Sequence, residues 1–262
     1  MFRVFAVARL RAELQYRTSF ASFVVSQAAI TFLDCVAILA IFHRVPQLGG
    51  WDRGQVLLLY AVSIISFGIA DLLVGSVEQS AEYVRQGSFD RLLIRPAGVL
   101  SQMLGDEFAL RRLGRPAQGT IVLVVTVAVG HVEPASVLRA LFLIPAVVGA
   151  SITFSAIFVL LATLSFWWPN SKEVGSAFTY GGVTMAQYPT HIYPSWLRRL
   201  AVFALPVGVV TYVPVMFALD APNPLGIPTW AQLLSPLMFA PVTVAAALAW
   251  RSGLRRYEST GS

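Results

Sequence analysis

The one lysine of the chain, Lys172, is the first residue to test for catalytic chemistry. A phosphate-binding P-loop needs a glycine-rich run before its lysine and a Ser or Thr directly after it. Lys172 lies instead in the segment Pro169-Asn170-Ser171-Lys172-Glu173, which has neither feature. The sequence therefore predicts no ATPase site in this chain, and we expect the chain not to be an enzyme by itself.

The histidines and the cysteine offer no metal chemistry. His43, His131 and His191 are far apart in the sequence and lack the spacing of metal ligands, and Cys35 is the single cysteine. The sequence also contains no Gly-x-Ser-x-Gly nucleophile turn and no His-Glu-x-x-His zinc motif. We therefore expect this chain to bind no metal or cofactor of its own.

Asp34 and Asp71 are acidic residues inside apolar segments, but neither has the Gly-x-Gly-Asp context of intramembrane aspartyl hydrolases. An aspartate at mid-bilayer depth costs about 2.5–3.5 kcal/mol, so both side chains should face the protein interior or a cavity. For Asp34 we consider a structural role, which is favoured, and attraction of a cationic substrate. Asp71 lies nearer the predicted inner end of its segment and should be partly solvated.

These residues must be positioned by a membrane-embedded helical scaffold. The chain has 56% hydrophobic and 12% charged residues and a mean hydropathy of +0.70, whereas soluble domains have about 25% charged residues. Seven apolar stretches approach the ~20 residues of a spanning helix, although the third and fifth are short and need protein neighbours. The stretches are Phe20–Phe42, Val56–Val77, Ala117–Val132, Val137–Phe166, Val174–Tyr188, Leu200–Leu219 and Ala231–Trp250.

The basic residues indicate the orientation. They fall in blocks between the apolar stretches, which argues against nucleic-acid binding despite the net charge of +6. With a cytoplasmic N-terminus and six crossings, most of the 19 Lys and Arg residues lie on the cytoplasmic side, as the positive-inside rule requires. A seventh crossing would put Arg251, Arg255 and Arg256 outside, so one stretch should not cross.

Leu200–Leu219 is the stretch predicted not to cross. Pro206 and Pro214 are expected to interrupt it, because a proline removes a backbone donor and breaks the helical hydrogen-bond ladder. Broken backbone at membrane depth must be buried in protein or face a water-filled cavity. We therefore expect a re-entrant or external helix pair here.

The predicted fold is a single all-α transmembrane domain over residues 1–262, with six spans and both termini in the cytoplasm. Its predicted parts are an amphipathic interfacial helix in 1–18, spans 1 and 2 in 19–77, a cytoplasmic coupling loop in 78–116, spans 3 to 5 in 117–189, an outer re-entrant segment in 190–230, span 6 in 231–250 and a cytoplasmic tail in 251–262.

The predicted cytoplasmic loop in 78–116 contains the sequence pattern that is most informative about function. Gly87 and Ser88 predict a turn, with Ser88 as a candidate N-cap, and Asp90 is favourable in the first turn of a short helix that Pro96 ends. The helix carries an apolar ridge and a basic face, formed by Phe89, Leu92 and Leu93 and by Arg91 and Arg95. Such a helix could rest on lipid or dock a cytoplasmic partner.

This loop resembles that of the permease subunits of ABC-2-type transporters, a class of ATP-binding cassette proteins used mainly for export. The matching segments are 87–96 (GSFDRLLIRP), 188–198 (YPTHIYPSWLR), 205–207 (LPV) and 212–214 (YVP), in the expected order. Together with the predicted topology, they extend the resemblance over nearly the whole chain, with His191 where an apolar residue is expected.

The resemblance implies a permease for amphiphilic or hydrophobic substrates in a bacterial cytoplasmic membrane. Separate ABC ATPase subunits, which bind ATP and Mg, would dock on its cytoplasmic face, and a second copy or a sister permease would complete a dimer in the lipid bilayer. The implied coupling residues are Phe89, Asp90, Arg91, Leu92, Leu93, Arg95 and Pro96.

The implied substrate path lies between the first, second and fifth spans of two permeases. Its candidate residues are Asp34, Asp71, Gly181, Gly182 and Tyr188, and the glycines could equally serve close helix packing. The candidate residues of an outer gate are Tyr193, Trp196, Pro206, Tyr212 and Pro214. The aromatic residues among them could equally be interface anchors.

Two other functions stay open from the sequence. The chain could be a membrane scaffold or assembly protein that transports nothing and whose inner helix binds a partner other than an ATPase. It could also be an ion-coupled secondary transporter, but the lack of an internal repeat and the few acidic residues within the spans weigh against that function.

Overall fold

The computed structural model describes residues 17–106, 110–129, 132, 134–168 and 170–257. Regular secondary structure in this part is helical, which confirms the predicted all-α class, and the predicted interfacial helix lies almost wholly outside it. The α-helices are α1 (Arg17–Arg44), α2 (Arg53–Val74), α3 (Ser80–Arg85), α4 (Asp90–Leu93), α5 (Val99–Asp106), α6 (Gly114–Ala128), α7 (Val137–Ala162), α8 (Lys172–Ala186), α9 (Ser195–Arg199), α10 (Val207–Leu219), α11 (Thr229–Leu234) and α12 (Phe239–Arg256).

Helix α2 lies at the centre of the fold. It begins with a capping box, in which Asp52 Oδ1 accepts from the Gln55 N–H at 2.9 Å and Gln55 Oε1 accepts from the Asp52 N–H at 3.0 Å. Most of its side chains are buried on every face, which is expected of a helix surrounded by other helices. It packs mainly against α6 and α7, and less extensively against α10, α8 and α1.

Glycines allow α2 and α6 to approach closely. A Cβ atom on Gly119 would lie 2.7 Å from Ile65 Cγ1, and one on Gly68 would lie 2.6 Å from the Pro116 nitrogen. A larger side chain at either position would separate the helices, as in other membrane helix pairs that depend on small residues. The first turns of α6 are therefore held against the middle of α2.

Exposed apolar side chains surround this core. Val25 on α1, Val124 on α6, Leu141 and Ile144 on α7 and Leu248 on α12 are each more than half exposed. Large apolar side chains such as these are mostly buried in soluble proteins. The distribution is that of a protein whose outer surface contacts lipid.

Three helices in the described ranges are long and apolar enough to cross a membrane: Arg53–Arg85, Val137–Phe166 and Thr229–Arg256. The bent pair Ser195–Phe203 and Val207–Leu219 would make a fourth if it formed one span. Helices α6 and α8 have 15 residues each, about 22 Å at 1.5 Å per residue, which is short of a ~30 Å hydrocarbon core. The structure supports a multi-pass protein, and six crossings with cytoplasmic termini stay a prediction.

The outer segment is broken at Pro206 but not at Pro214. A π-helical turn, Leu200–Ala204, ends before Pro206, and the two helical parts on either side of the break differ in direction by 93°. Pro214 lies inside α10, which continues to Leu219, so the prediction that it interrupts the segment is wrong. A proline removes one hydrogen bond of the ladder, and neighbouring protein around the buried Pro214 stabilises the rest of the helix.

Candidate functional site

Asp71 forms an ion-paired cluster near the end of α2. Its Oδ2 lies 2.6 Å from Arg115 Nη1, and its Oδ1 lies 3.7 Å from Arg112 Nε. Arg112 also donates a hydrogen bond to the Asp71 carbonyl oxygen at 3.1 Å. The Asp71 side chain is only 9% exposed, so the two guanidinium groups compensate a carboxylate that has lost most of its water.

Arg115 joins three helices through this cluster. Its guanidinium lies 5.3 Å from the ring centroid of Phe67 on α2 and 5.3 Å from that of Tyr180 on α8, both within cation–π range. The Tyr180 hydroxyl in turn lies 3.5 Å from Glu78 Oε2. Asp71 therefore faces the protein interior, as expected of an acidic residue in an apolar segment, but it is buried rather than partly solvated. Its place in the substrate path stays a prediction.

Beside this cluster a cleft of about 180 Å³ lies between α1, α2, α6 and α8. Its lining combines apolar side chains with an acid, a base, amides and aromatic rings. The polar and aromatic lining residues include Asp34, Phe67, Arg115, Gln118, Tyr180 and Gln187. Three of the four helices correspond to the predicted spans 1, 2 and 5 of the substrate path, and α6 is the fourth.

Asp34 is the acidic residue of the cleft. Its Oδ2 accepts a hydrogen bond from the Tyr60 hydroxyl at 3.1 Å, and that hydroxyl accepts one from Gln118 Nε2 at 2.9 Å. Tyr60 is fully buried, so its hydroxyl has a fixed position. Among the ion pairs between described residues, Asp34 has none. In the described part of the chain, Asp34 therefore contacts a neutral hydrogen-bond donor and not a paired cationic side chain.

The other predicted path residues do not line the cleft. Gly182 is buried, and a Cβ atom there would be in ordinary contact with Val207 Cγ1 at 3.8 Å, so the helix packing does not require a glycine at this position. Gly181 is exposed with no atom near its missing Cβ, and Tyr188 packs against the main core. The sequence did not identify Tyr60 or Gln118 as residues of the cleft. Only Gln118 could have been noticed, because it is a polar amide inside an apolar stretch.

The inner loop is held by an aromatic anchor, which we define as Phe89, Phe166, Trp250 and Tyr257. The Phe89 ring centroid lies 5.3 Å from that of Phe166 and 4.8 Å from that of Tyr257, and the Phe166 and Trp250 centroids are 5.3 Å apart. Burial, and then the nearby Asp90, raise the pKa of Tyr257 to about 12, so its hydroxyl stays protonated at neutral pH. The anchor connects α4 to the end of α7 and to α12.

Helix α4 presents a different surface from the predicted one. Phe89 is 0% exposed and Leu92 is 4% exposed, so both face the protein interior and cannot form the expected partner contact. The outward side chains are those of Leu93 and Ile94, with Arg91, Arg95 and Pro96 also exposed. The apolar spacing correctly predicts that Phe89 and Leu92 share a face of the helix. Other residues of the same chain, and not a partner, cover that face.

Two polar side chains shape the turns around α4. The Ser88 hydroxyl donates to the Tyr83 carbonyl at 3.3 Å, so the predicted N-cap role of Ser88 is wrong, and Phe89 occupies the N-cap position. Gln102 Nε2 donates to the carbonyl oxygens of Leu92 at 2.8 Å and Ala97 at 2.7 Å. Gln102 thereby satisfies one carbonyl group within α4 and one after it, and fixes α4 against α5.

At the other end of the molecule, His191 connects three segments. Its Nε2 lies 2.7 Å from the Gly49 carbonyl oxygen, which can only accept, so Nε2 donates and Nδ1 accepts from the Tyr212 hydroxyl at 2.8 Å in the neutral ring. Trp51 stacks on Tyr212 with 5.0 Å between centroids. Both ring nitrogens of His191 are thus occupied, and no His, Cys, Asp or Glu cluster in the described ranges could hold a metal ion.

The predicted outer-gate residues fall into two groups. Tyr212 and Pro214 are buried in the core, and Pro206 is buried at the helix break, so these three contribute no free surface. Trp196 is 68% exposed, while Tyr193 is half-buried and donates to the Met185 carbonyl at 3.3 Å. Of these five predicted gate residues, only Trp196 presents a large exposed aromatic surface.

Comparison with known proteins adds one match. A family model described as an ABC-2 family transporter protein matches residues 28–261, a range that contains the cleft, the inner loop and the outer segment. No curated protein and no solved structure matches the chain.

Proposed function

This chain belongs to the ABC-2 family of transporter proteins, and on that premise we propose that it is the permease subunit of an ATP-driven exporter. The family match over residues 28–261 carries the proposal and confirms the resemblance found in the sequence. Permeases of this family work with separate ABC ATPase subunits. The absence of a P-loop around Lys172 agrees with ATP hydrolysis by a separate subunit.

The proposed topology has six crossings with both termini in the cytoplasm. The crossing helices are α1, α2, α6, α7, α8 and α12, and α9 with α10 forms the outer re-entrant pair. Helix α1 has 28 residues, about 42 Å at 1.5 Å per residue, which is long enough for a span. The break at Pro206 and the clustering of arginines on the other side support this arrangement.

The inner loop is proposed to couple ATP hydrolysis to the spans. Leu93 and Ile94 would enter a groove on the ATPase, with Arg91 and Arg95 at its polar rim. The buried Phe89 does not contact the ATPase in this scheme but joins α4 to α7 and α12 through the aromatic anchor. A short helix packed against two spans can move with them as one unit, which coupling requires.

The cleft is proposed as half of a substrate path that a second permease completes. Its volume of about 180 Å³ is below the ~300 Å³ of the smaller small-molecule sites, which suits a half-site. Of the two charged side chains that line the cleft, Arg115 is paired with Asp71, which leaves Asp34 as the unpaired charge that a substrate would meet. We therefore favour amphiphiles with a cationic group over neutral or anionic ones.

The coupling proposal is tested by substituting an exposed residue of the inner loop. Ile94→Ser should lower co-purification of the partner ATPase at least threefold, because the Ile94 side chain is 83% exposed and therefore available to a partner. Leu113→Ser is the matched control, since Leu113 is another exposed apolar residue of the same predicted cytoplasmic loop, at 42%.

Equal ATPase recovery with both variants would refute docking at Ile94. Failure of any ABC ATPase to co-purify with the wild-type permease would instead favour the scaffold function.

A further inference from the structure

A second cavity, of about 240 Å³, lies in the angle between the two helical parts separated by Pro206. We call it the outer cavity. Its walls are mostly apolar and come from both helical parts and from the segment after α10. The apolar side chains that line it are Val202, Phe203, Val209, Val213, Leu225 and Ile227.

Two neighbouring arginines also line the outer cavity. Arg198 is half-buried and Arg199 is exposed, which places both at the open side. Among the ion pairs of the described residues, neither guanidinium has a carboxylate partner. The outer cavity therefore combines an apolar interior with two positive charges that the described part of the chain does not neutralise.

We propose that the outer cavity binds an anionic phospholipid. Its phosphate would accept hydrogen bonds from Arg198 and Arg199, whose planar guanidinium groups suit bidentate contacts with phosphate oxygens. The beginning of one acyl chain would pack against Val209 and Val213 inside. The volume is too small for a whole lipid, so the rest of the ligand lies outside, in the bilayer.

The surface around the outer cavity supports a lipid ligand. Trp196 and Phe203, at 68% and 82% exposed, flank the arginines on the same short helical part. Tryptophan is enriched at the headgroup level of bilayers, where its ring meets both apolar chains and polar groups. An anionic headgroup at Arg198 and Arg199 would then lie at the depth at which Trp196 is anchored.

A second copy of this chain fits the outer cavity less well than a lipid does. Of the acidic residues that the structure describes on the predicted outer side, Asp52 caps α2 and Asp220 pairs with Arg139. Each would have to give up its present contact to neutralise Arg198 and Arg199 of a partner. This proposal rests on the proposed topology only for the side of the membrane on which the outer cavity lies. Lipid binding is measured without any ATPase, so its failure is distinguishable from failure of the proposed transport function.

The test uses the purified permease in a neutral detergent with two probes of identical acyl chains, phosphatidylglycerol and phosphatidylcholine. Phosphatidylglycerol should raise the thermal unfolding temperature at lower concentration than phosphatidylcholine does. Arg198→Gln with Arg199→Gln should weaken its apparent affinity about tenfold, from lost charge-assisted hydrogen bonds. Arg44→Gln removes an exposed arginine on the same predicted side and should leave that affinity unchanged.

A second variant separates the apolar part of the site from its charge. Val209→Phe keeps both arginines but fills the outer cavity, and it should also weaken phosphatidylglycerol binding. Equal affinity for the two lipids, or wild-type affinity in both cavity variants, would overturn the proposal.

Two further results would also overturn it. Equal stabilisation by inorganic phosphate would show that no acyl chain is bound. A wild-type dimer that dissociates in the double arginine variant, with lipid affinity unchanged, would identify a second copy as the occupant.

Discussion

Asp71 and Asp34 are two carboxylates within apolar helices whose surroundings differ. Asp71 lies 2.6 Å from Arg115 and 3.7 Å from Arg112, while Asp34 meets the neutral Tyr60 hydroxyl at 3.1 Å. Of these two carboxylates, only Asp71 takes part in ion pairs between described residues. The first carboxylate holds α2 against α6, and the second leaves its charge directed at the cleft.

The contrast shows that an acidic residue at membrane depth can serve two purposes. A carboxylate there is costly unless it is paired or solvated, so each one needs a compensating group. For Asp71 the compensation is inside the chain, at the junction of three helices. For Asp34 one hydrogen bond is a partial compensation, and a cationic ligand would complete it.

The largest expected effect is that of Asp71→Asn. It would leave Arg112 and Arg115 without their counter-charge at positions that are 17% and 31% exposed. Removing one partner of a fully buried pair costs about 3–5 kcal/mol, and partial exposure should reduce this to roughly 2–3 kcal/mol of unfolding free energy. Chemical unfolding in lipid bicelles measures it.

The double variant Asp71→Asn with Arg115→Gln is the control for that measurement. It should recover part of the loss, because the unpaired guanidinium is gone. Additive losses in the double variant would mean that the two residues do not stabilise each other.

Asp34→Asn should affect transport rather than stability. We expect export of a cationic amphiphile to fall at least about tenfold, as from loss of a charge-assisted contact, with unfolding free energy changed by about 1 kcal/mol or less. A neutral amphiphile of similar shape should be exported as by the wild type. Equal losses for both substrates would make Asp34 a structural residue like Asp71.

Tyr60→Phe should give a smaller effect of the same kind. The substitution removes the hydroxyl that donates to Asp34 and accepts from Gln118, which costs about 1 kcal/mol in stability. Cationic export should fall about threefold, because Asp34 keeps its charge but loses its fixed orientation. Tyr180→Phe is the comparison within the same cleft, since its hydroxyl lies 3.5 Å from Glu78 and not against Asp34. An equal loss of cationic export in this variant would contradict an effect through Asp34.

The smallest expected effect is that of salt. Raising the ionic strength from ~0.1 M to ~1 M shortens the screening length from about 10 Å to about 3 Å. Cationic substrate affinity at the cleft should fall by a few fold, while unfolding free energy should hardly change, because the Asp71 pair is largely shielded from solvent. If high salt lowered the unfolding free energy but not the affinity for the cationic substrate, the roles assigned to Asp71 and Asp34 would be contradicted.

The sequence was sufficient to predict the helical class, the break at Pro206 and an inward-facing Asp34. Each of these depends on local composition or on the free-energy cost of placing a charge in the membrane. The sequence could not identify the partners of Asp71. Arg112 and Arg115 lie more than 40 residues away in the sequence, in a loop whose basic residues indicate only the orientation. Pairing across helices depends on their packing, which periodicity does not report.

The inner loop is a second case in which the sequence predicts local structure but not the contacts between distant segments. The spacing of Phe89 and Leu92 correctly placed them on one face of a short helix. That face is covered by Phe166, Trp250 and Tyr257, which come from distant helices and from the end of α12, so no local pattern could predict it. Pro214 shows the opposite case, in which tertiary packing maintains a helix that a local rule would break.

The most direct test of the central claim is ATP-driven transport by the reconstituted permease–ATPase complex in proteoliposomes. With the ATPase on the outside, the wild type should accumulate a fluorescent cationic amphiphile inside only when ATP is hydrolysed. Asp34→Asn should abolish most of this uptake while the complex still assembles. Uptake without ATP hydrolysis, or ATP-driven uptake of the cation that is unaffected by Asp34→Asn, would contradict the account.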